Sequence, residues 1–180
     1  MADEVSAGAR ILGSLRSADG MGVVRMEDRV LATIDSVWSA LTDPSRLSRW
    51  LGDIEGDLRL GGEFHARFLA SSWQGMGRVE ACEPSRRILV LTTDAAEPSE
   101  ESAKPGEGSI EVTLAADGDQ TVVVWEERGM PLEYIAAYGA GIQIHVEDLA
   151  AFLSGRDRCD PKVRWAELHQ EYQDLTVNVS

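Results

Sequence analysis

The stretch from 34 to 62, IDSVWSALTDPSRLSRWLGDIEGDLRLGG, decides the fold. It reads as two short, separately capped helices followed by a strand that ends in a double glycine. Asp35 is placed to cap the first helix, whose Val37, Trp38 and Leu41 fall at helical spacing along one apolar side. Thr42 or Asp43 then caps a second short helix, with Pro44 at its first position, where a missing N–H costs nothing. Leu47 and Trp50 supply its buried face. DLRLG reads as the strand, and Gly61 and Gly62 make a tight turn before the next run, GEFHARFLA.

Upstream, VVRMEDRVLATI (23–34) reads as a strand, preceded by a tail over residues 1–20 with a small apolar cluster at Ile11, Leu12 and Leu15. Downstream, the strand-like runs DLRLG, GEFHARFLA, SWQGMGRVEACE, RRILVLTTD, SIEVTLAAD and QTVVVWEER are separated by Gly, Pro, Asp and Ser clusters, the pattern of an antiparallel meander. In GEFHARFLA, Phe64, Ala66 and Phe68 share one face and Glu63, His65 and Arg67 the other. In SIEVTLAAD, Ile110, Val112 and Leu114 oppose Ser109, Glu111 and Thr113. That alternation belongs to a sheet with one covered and one wet face. RILVLT and TVVVW are apolar on both sides and imply fuller burial. Residues 95–108, rich in Glu, Ser and Pro, read as an exposed hairpin loop.

Residues 131–154 form the one long helix, with Pro131 at its start and Gly155 as its stop signal. Ile135, Tyr138, Ile142, Val146, Leu149 and Leu153 make a stripe able to lie along the sheet. A final amphipathic helix is expected near 161–176, with Trp165, Leu168, Tyr172 and Leu175 on its apolar side. Residues 21–180 therefore read as a single domain: an α+β fold with a curved antiparallel sheet of about seven strands around a long C-terminal helix.

Composition narrows the function. Thirty-one acidic against seventeen basic residues give a net charge of −14, which argues against a nucleic-acid backbone or an anionic membrane surface as partner. There is no signal-peptide pattern at the start and no run of about 20 apolar residues, so a cytoplasmic location is expected. Cys82 and Cys159 form no CxxC pair and read as free thiols.

VWSALTDPSRLSRWLG, DLRLGGEF, GMGRVEACEPSRRILVLT and QTVVVWEERGM, in this order before a long helix, resemble the START-like, or SRPBCC, superfamily with its helix-grip fold. Within it the chain is similar to the family named for the activator of the heat-shock protein 90 ATPase, from about Val24 to about Leu153. The resemblance implies a cavity between sheet and long helix that takes an apolar or amphipathic small molecule. The chain departs from it in having Gly141-Ile142 where relatives often carry GW, and a short tail where eukaryotic activators carry a separate chaperone-binding domain.

No GxSxG elbow is present, the GxG at Gly75–Gly77 lies inside a strand, and His65, His145 and His169 fall on different elements without metal-ligand spacing. No catalytic residue, metal or cofactor is expected. Gly139 and Gly141 within the long helix mark either close packing or room for a ligand. Trp38 and Trp165 read as core. The candidate ligand-binding residues are Trp50, Phe64, Phe68, Trp73, Met76, Trp125, Tyr134, Tyr138, Ile142 and His145, with Arg78 or Glu126 as further polar contacts. The reading is binding of a small apolar or aromatic molecule. An enzyme using the same cavity for cyclisation, dehydration or hydrolysis is the first alternative, and a chaperone-associated or other interaction module the second.

Overall fold

The computed structural model describes residues 10–71, 73–94 and 107–179. Among the described residues nine strands form one sheet: β1 (Gly13–Ala18), β2 (Met21–Val30), β3 (Gly52–Gly56), β4 (Glu63–Phe68), β5 (Gln74–Glu83), β6 (Arg87–Asp94), β7 (Glu107–Asp117), β8 (Gln120–Met130) and β9 (Val177–Val179). Their order across the sheet is β3-β4-β5-β6-β7-β8-β2-β1-β9, antiparallel throughout except for the β1–β9 pair. The helices are α1 (Ile34–Thr42), α2 (Pro44–Trp50), the long α3 (Ile135–Leu153) and α4 (Pro161–Gln173). This α+β arrangement is the helix-grip architecture expected from the sequence, with nine strands in place of about seven.

The two additional strands, β1 and β9, extend the sheet beyond β2 at one edge. Ser14 to Ala18, within the expected tail, pair with β2 across a two-residue turn in which Asp19 and Gly20 have φ of 52° and 79°. That is the turn an Asp-Gly pair favours, because its left-handed backbone matches the twist of the flanking strands. Leu15 is buried under it. The last strand, β9, adds to the outer edge of β1.

The elbow differs in detail from its sequence reading. Thr33, not Asp35, caps α1: its hydroxyl accepts from the Ser36 N–H at 3.2 Å, while the Asp35 carboxylate accepts from the Ser85 hydroxyl at 2.8 Å. Asp43 caps α2, accepting from the Ser45 N–H at 2.9 Å, with Pro44 at the first position as expected. The strand lies at Gly52–Gly56, and DLRLG is a turn. Asp57 closes that turn by accepting from the Arg59 N–H at 2.9 Å and gripping its guanidinium. Gly61, at φ 80°, completes it.

Parity settles the two faces of the sheet. Phe64, Ala66 and Phe68 of β4, Val112 and Leu114 of β7, and Val123 and Trp125 of β8 are buried on the inner face, whereas Glu63, His65 and Arg67 are exposed. The outer side of RILVLT and TVVVW is less covered than expected: Leu91 is exposed and Val122 and Val124 are half-buried. Within α3 the run starts at Ile135 after a single 3-10 turn at Leu132–Tyr134. α3 crosses β1, β2 and β8, and α4 packs on its back. The hairpin connection expected at 95–108 lies outside the described residues except for Glu107 and Gly108, which open β7.

Trp165 is not core, and Trp38 packs against the core without being buried in it. Trp38 is half-buried, because α1 turns Val37, Ala40 and Leu41 inward and leaves the tryptophan at the edge of the stripe. Trp165 is exposed and stacks on His169, ring centres 4.2 Å apart. Among the described residues no helix is long and apolar enough to cross a membrane.

Candidate functional site

A ring of aromatic side chains on the inner face encloses one imidazole. His145 of α3 is 4% exposed. Phe68 meets its ring edge-on at 5.0 Å between centres, and Trp125 lies 6.4 Å away. Trp73 packs on the far side of Phe68 at 4.8 Å, and Trp50 sits edge-on to Trp125 at 6.3 Å. Trp50 spends its indole N–H on the Ala40 carbonyl at 3.0 Å. Among the described residues, neither ring nitrogen of His145 has a hydrogen-bond partner. Burial among apolar rings pushes the imidazole down to about 4, so it is neutral at pH 7 and carries one donor and one acceptor.

A carboxyl shares this face. Glu127 lies two residues beyond Trp125 on β8, and the Trp125 indole N–H donates to its Oε1 at 3.0 Å. Desolvation raises the Glu127 carboxyl to about 7, against the smaller lowering effect of that hydrogen bond. At neutral pH the group is therefore partly protonated. One oxygen accepts from the indole, and the O–H of the protonated form remains available as a donor.

The inner face is unevenly covered. Ile54, Val90, Thr92, Ile110 and Glu127 point inward by register yet are only half-buried. α3 passes over the other end of the sheet. At the start of α3 Gly141 is half-exposed, and a Cβ added there would meet nothing within 4 Å. By helical spacing Tyr138, Gly141, Ile142 and His145 lie along one side of α3.

A family model described as "Activator of Hsp90 ATPase homolog 1-like protein" matches residues 31–154, more than half of the chain. The chain belongs to this family. Solved structures agree. The crystal structure of CalU16 from Micromonospora echinospora is 25% identical, with a TM-score of 0.70, over 91% of this chain and 94% of that one. DynU16, described as a protein in the dynemicin biosynthetic locus, is 25% identical with a TM-score of 0.66; the match covers 79% of this chain and 51% of DynU16. EF2215 from Enterococcus faecalis, described as a conserved protein of unknown function, shares the fold at 16% identity and a TM-score of 0.67, over 90% of this chain and 88% of that one. Comparison with curated protein sequences gave no match.

In this family member the residues expected from sequence divide by face. Trp50, Phe64, Phe68, Trp125, Ile142 and His145 are buried on the inner side, with Trp73 half-buried at its edge. Tyr138 is exposed, two helical turns before His145 on the same side of α3. Met76 and Tyr134 are not brought to the group. Met76 is exposed on the outer face of β5, because Gly75 and Gly77 take the inward positions, and Tyr134 is exposed in the 3-10 turn. Arg78 and Glu126 also face outward, Arg78 paired with Glu80 and Glu126 with Arg16 and Arg128.

The glycines acquire specific reasons. The Phe64 ring lies flat on Gly77, where a Cβ would come within 2.2 Å of it. The Trp73 ring covers Gly75 in the same way, at 2.3 Å. Gly139 is the close approach of α4: a Cβ would stand 2.7 Å from the buried Tyr172 ring. Of these four glycines, Gly141 is the one that faces open space. The residue missed by sequence reasoning is Glu127. Its signal is in the sequence, since i and i+2 on a strand share a face and Trp125 is among the candidate ligand-binding residues.

Proposed function

We propose that the protein binds a small, uncharged, planar apolar or aromatic molecule bearing a hydroxyl or carbonyl group. The molecule lies on the inner face of the sheet beside α3, with His145 and Glu127 as its polar contacts. The observation that carries the reading is the His145 side chain, buried among aromatic rings with both nitrogens unpartnered. A buried polar group left unpaired costs about 1–3 kcal/mol, and a ligand that meets it recovers that cost. Apolar rings supply the bulk of such a site and a few convergent polar groups fix orientation. A charged ligand would be disfavoured in the same surroundings. Likeness to DynU16, a protein of a biosynthetic locus, supports a product or intermediate of small-molecule biosynthesis as the ligand class.

Glu127 favours one second reading. A carboxyl held near neutral pKa beside a ligand surface is suited to donate or accept a proton, the role of a general acid–base in a dehydration or cyclisation. Binding is common to both readings and is tested first.

The test is equilibrium binding of 2-naphthol and of naphthalene, which lacks the hydroxyl, followed by quenching of tryptophan fluorescence. 2-Naphthol should bind about tenfold more tightly, and His145→Leu should remove the difference while retaining the naphthalene affinity. Equal affinities for the two probes in the wild type would refute the polar contact.

A further inference from the structure

Among the described residues, a basic groove interrupts the surface of this acidic chain. It has a volume of about 320 Å³ and is lined by Arg49, Phe152, Arg156, Asp157, Arg158 and Cys159. Arg46 and Arg49 of α2 each set their guanidinium carbon 5.2 Å from the centre of the Phe152 ring. Among the described residues, none of Arg46, Arg49, Arg156 and Arg158 is in an ion pair, and outside the groove the same holds for Arg67 and Arg86, whereas Arg10, Arg16, Arg59, Arg87 and Arg164 each hold a carboxylate. In a chain of 31 acidic and 17 basic side chains, guanidinium groups gathered at one place without a direct ion pair need a cause, beyond the through-space attraction of Arg158 to Asp148 and of Arg46 to Asp43.

Helix ends supply part of it. Cations are favoured near the C-terminal ends of helices, and α2 and α3 both end here. Yet only Arg46 gives a side-chain N–H to a main-chain carbonyl, that of Ser36 at 3.1 Å. The final turn of α3 is closed by the main-chain N–H groups of Ser154, Gly155 and Arg156. Two carboxyls lie nearby. Asp157 lines the groove, and Asp148, buried beneath Cys159, accepts from the Cys159 N–H at 3.1 Å. They leave a surplus of positive charge facing the groove.

We propose that this groove is a second binding site, for a small organic polyanion. Arg49, Arg156 and Arg158 hold its phosphate or carboxylate groups, and its carbon frame lies against Phe152. Planar guanidinium forks match both oxyanions in paired hydrogen bonds. The groove is larger than one inorganic anion requires, and the Phe152 ring gives an organic frame something to stack on. Phe152 lies two turns of α3 beyond His145, about 10 Å along the helix, so this site is separate from the inner-face site and stands without it.

Pyrophosphate and citrate, titrated calorimetrically, are the phosphate and carboxylate probes. At least one should bind saturably at one per chain, more weakly as salt rises. Arg49→Gln with Arg156→Gln should weaken it about tenfold. Arg67→Gln with Arg86→Gln, which removes two arginines outside the groove, should leave it unchanged. Thermal unfolding checks that both double variants are folded. Amide NMR of the wild type is independent of any variant, and the bound probe should shift the residues around Phe152 to Cys159. Absence of saturable binding by both probes, equal weakening in both double variants, or shifts confined to other surfaces would overturn the proposal.

Discussion

Replacing His145 by leucine tests the interior directly, because the two side chains are similar in size and differ in the ring nitrogens. In the folded protein the imidazole stays neutral down to about pH 4, whereas in the unfolded chain it takes a proton near 6.5. Between those values the unfolded state binds a proton that the folded state refuses. The wild type therefore loses stability as pH falls through that window, at up to about 1.4 kcal/mol per pH unit. By pH 5 the loss through this one residue is about 2 kcal/mol. At pH 7 the same substitution removes two unpartnered buried nitrogens and should stabilise by about 1–2 kcal/mol. Urea denaturation of both proteins at pH 7 and pH 5 gives the two differences. The variant should lead by about 1–2 kcal/mol at pH 7 and by about 3–4 at pH 5. Curves that run parallel between these pH values would mean that His145 titrates freely, and the buried neutral imidazole would be wrong.

Glu127→Gln should act in the opposite pH direction. A carboxyl raised to about 7 in the folded state stabilises it below about pH 4.5 and withdraws that contribution as pH rises through 7, so the amide variant should gain about 2–3 kcal/mol on the wild type between pH 5 and 8; a constant difference in denaturation midpoint would refute it. Gly139→Ala should destabilise by about 1 kcal/mol because Tyr172 is fully buried and cannot yield, whereas Gly141→Ala should stabilise by about 0.5–1 kcal/mol through helix propensity. Thermal unfolding of the pair checks both signs. Trp50→Ala should cost about 3–5 kcal/mol, as for any fully buried aromatic, and the half-buried Trp38→Ala about 1–2. Equal losses would put Trp38 back in the core.

What the sequence made legible follows from how local each signal is. Asp43-Pro44 is a complete helix start on its own, and the alternation in β4 needs no partner to be read, so the elbow and the covered face came through. DLRLG misled because Leu58 and Leu60 alternate with polar residues as in a strand, while the bond from Asp57 to Arg59 turns the chain instead. β1 was hidden by weak alternation, although Asp19-Gly20 marked its hairpin. β9 is three residues long and exists only because β1 offers an edge.

The site was half legible for the same reason. Parity and helical period place His145, Phe68 and Trp125 on inward faces. That they converge depends on where α3 crosses the sheet, which no short window encodes. Met76 and Tyr134 were drawn in by residue type alone, and Glu127 was passed over because a charged residue on a strand is ordinarily read as outward.

The most direct test of the central claim is NMR of protein labelled with ¹⁵N in its histidine rings, titrated with 2-naphthol at pH 7. The account predicts that the His145 nitrogens start in the neutral form and shift on binding, as one of them gains a hydrogen bond, while His65 and His169 do not move. Saturation of the protein by 2-naphthol with His145 silent, or with His65 or His169 shifting in its place, would contradict it.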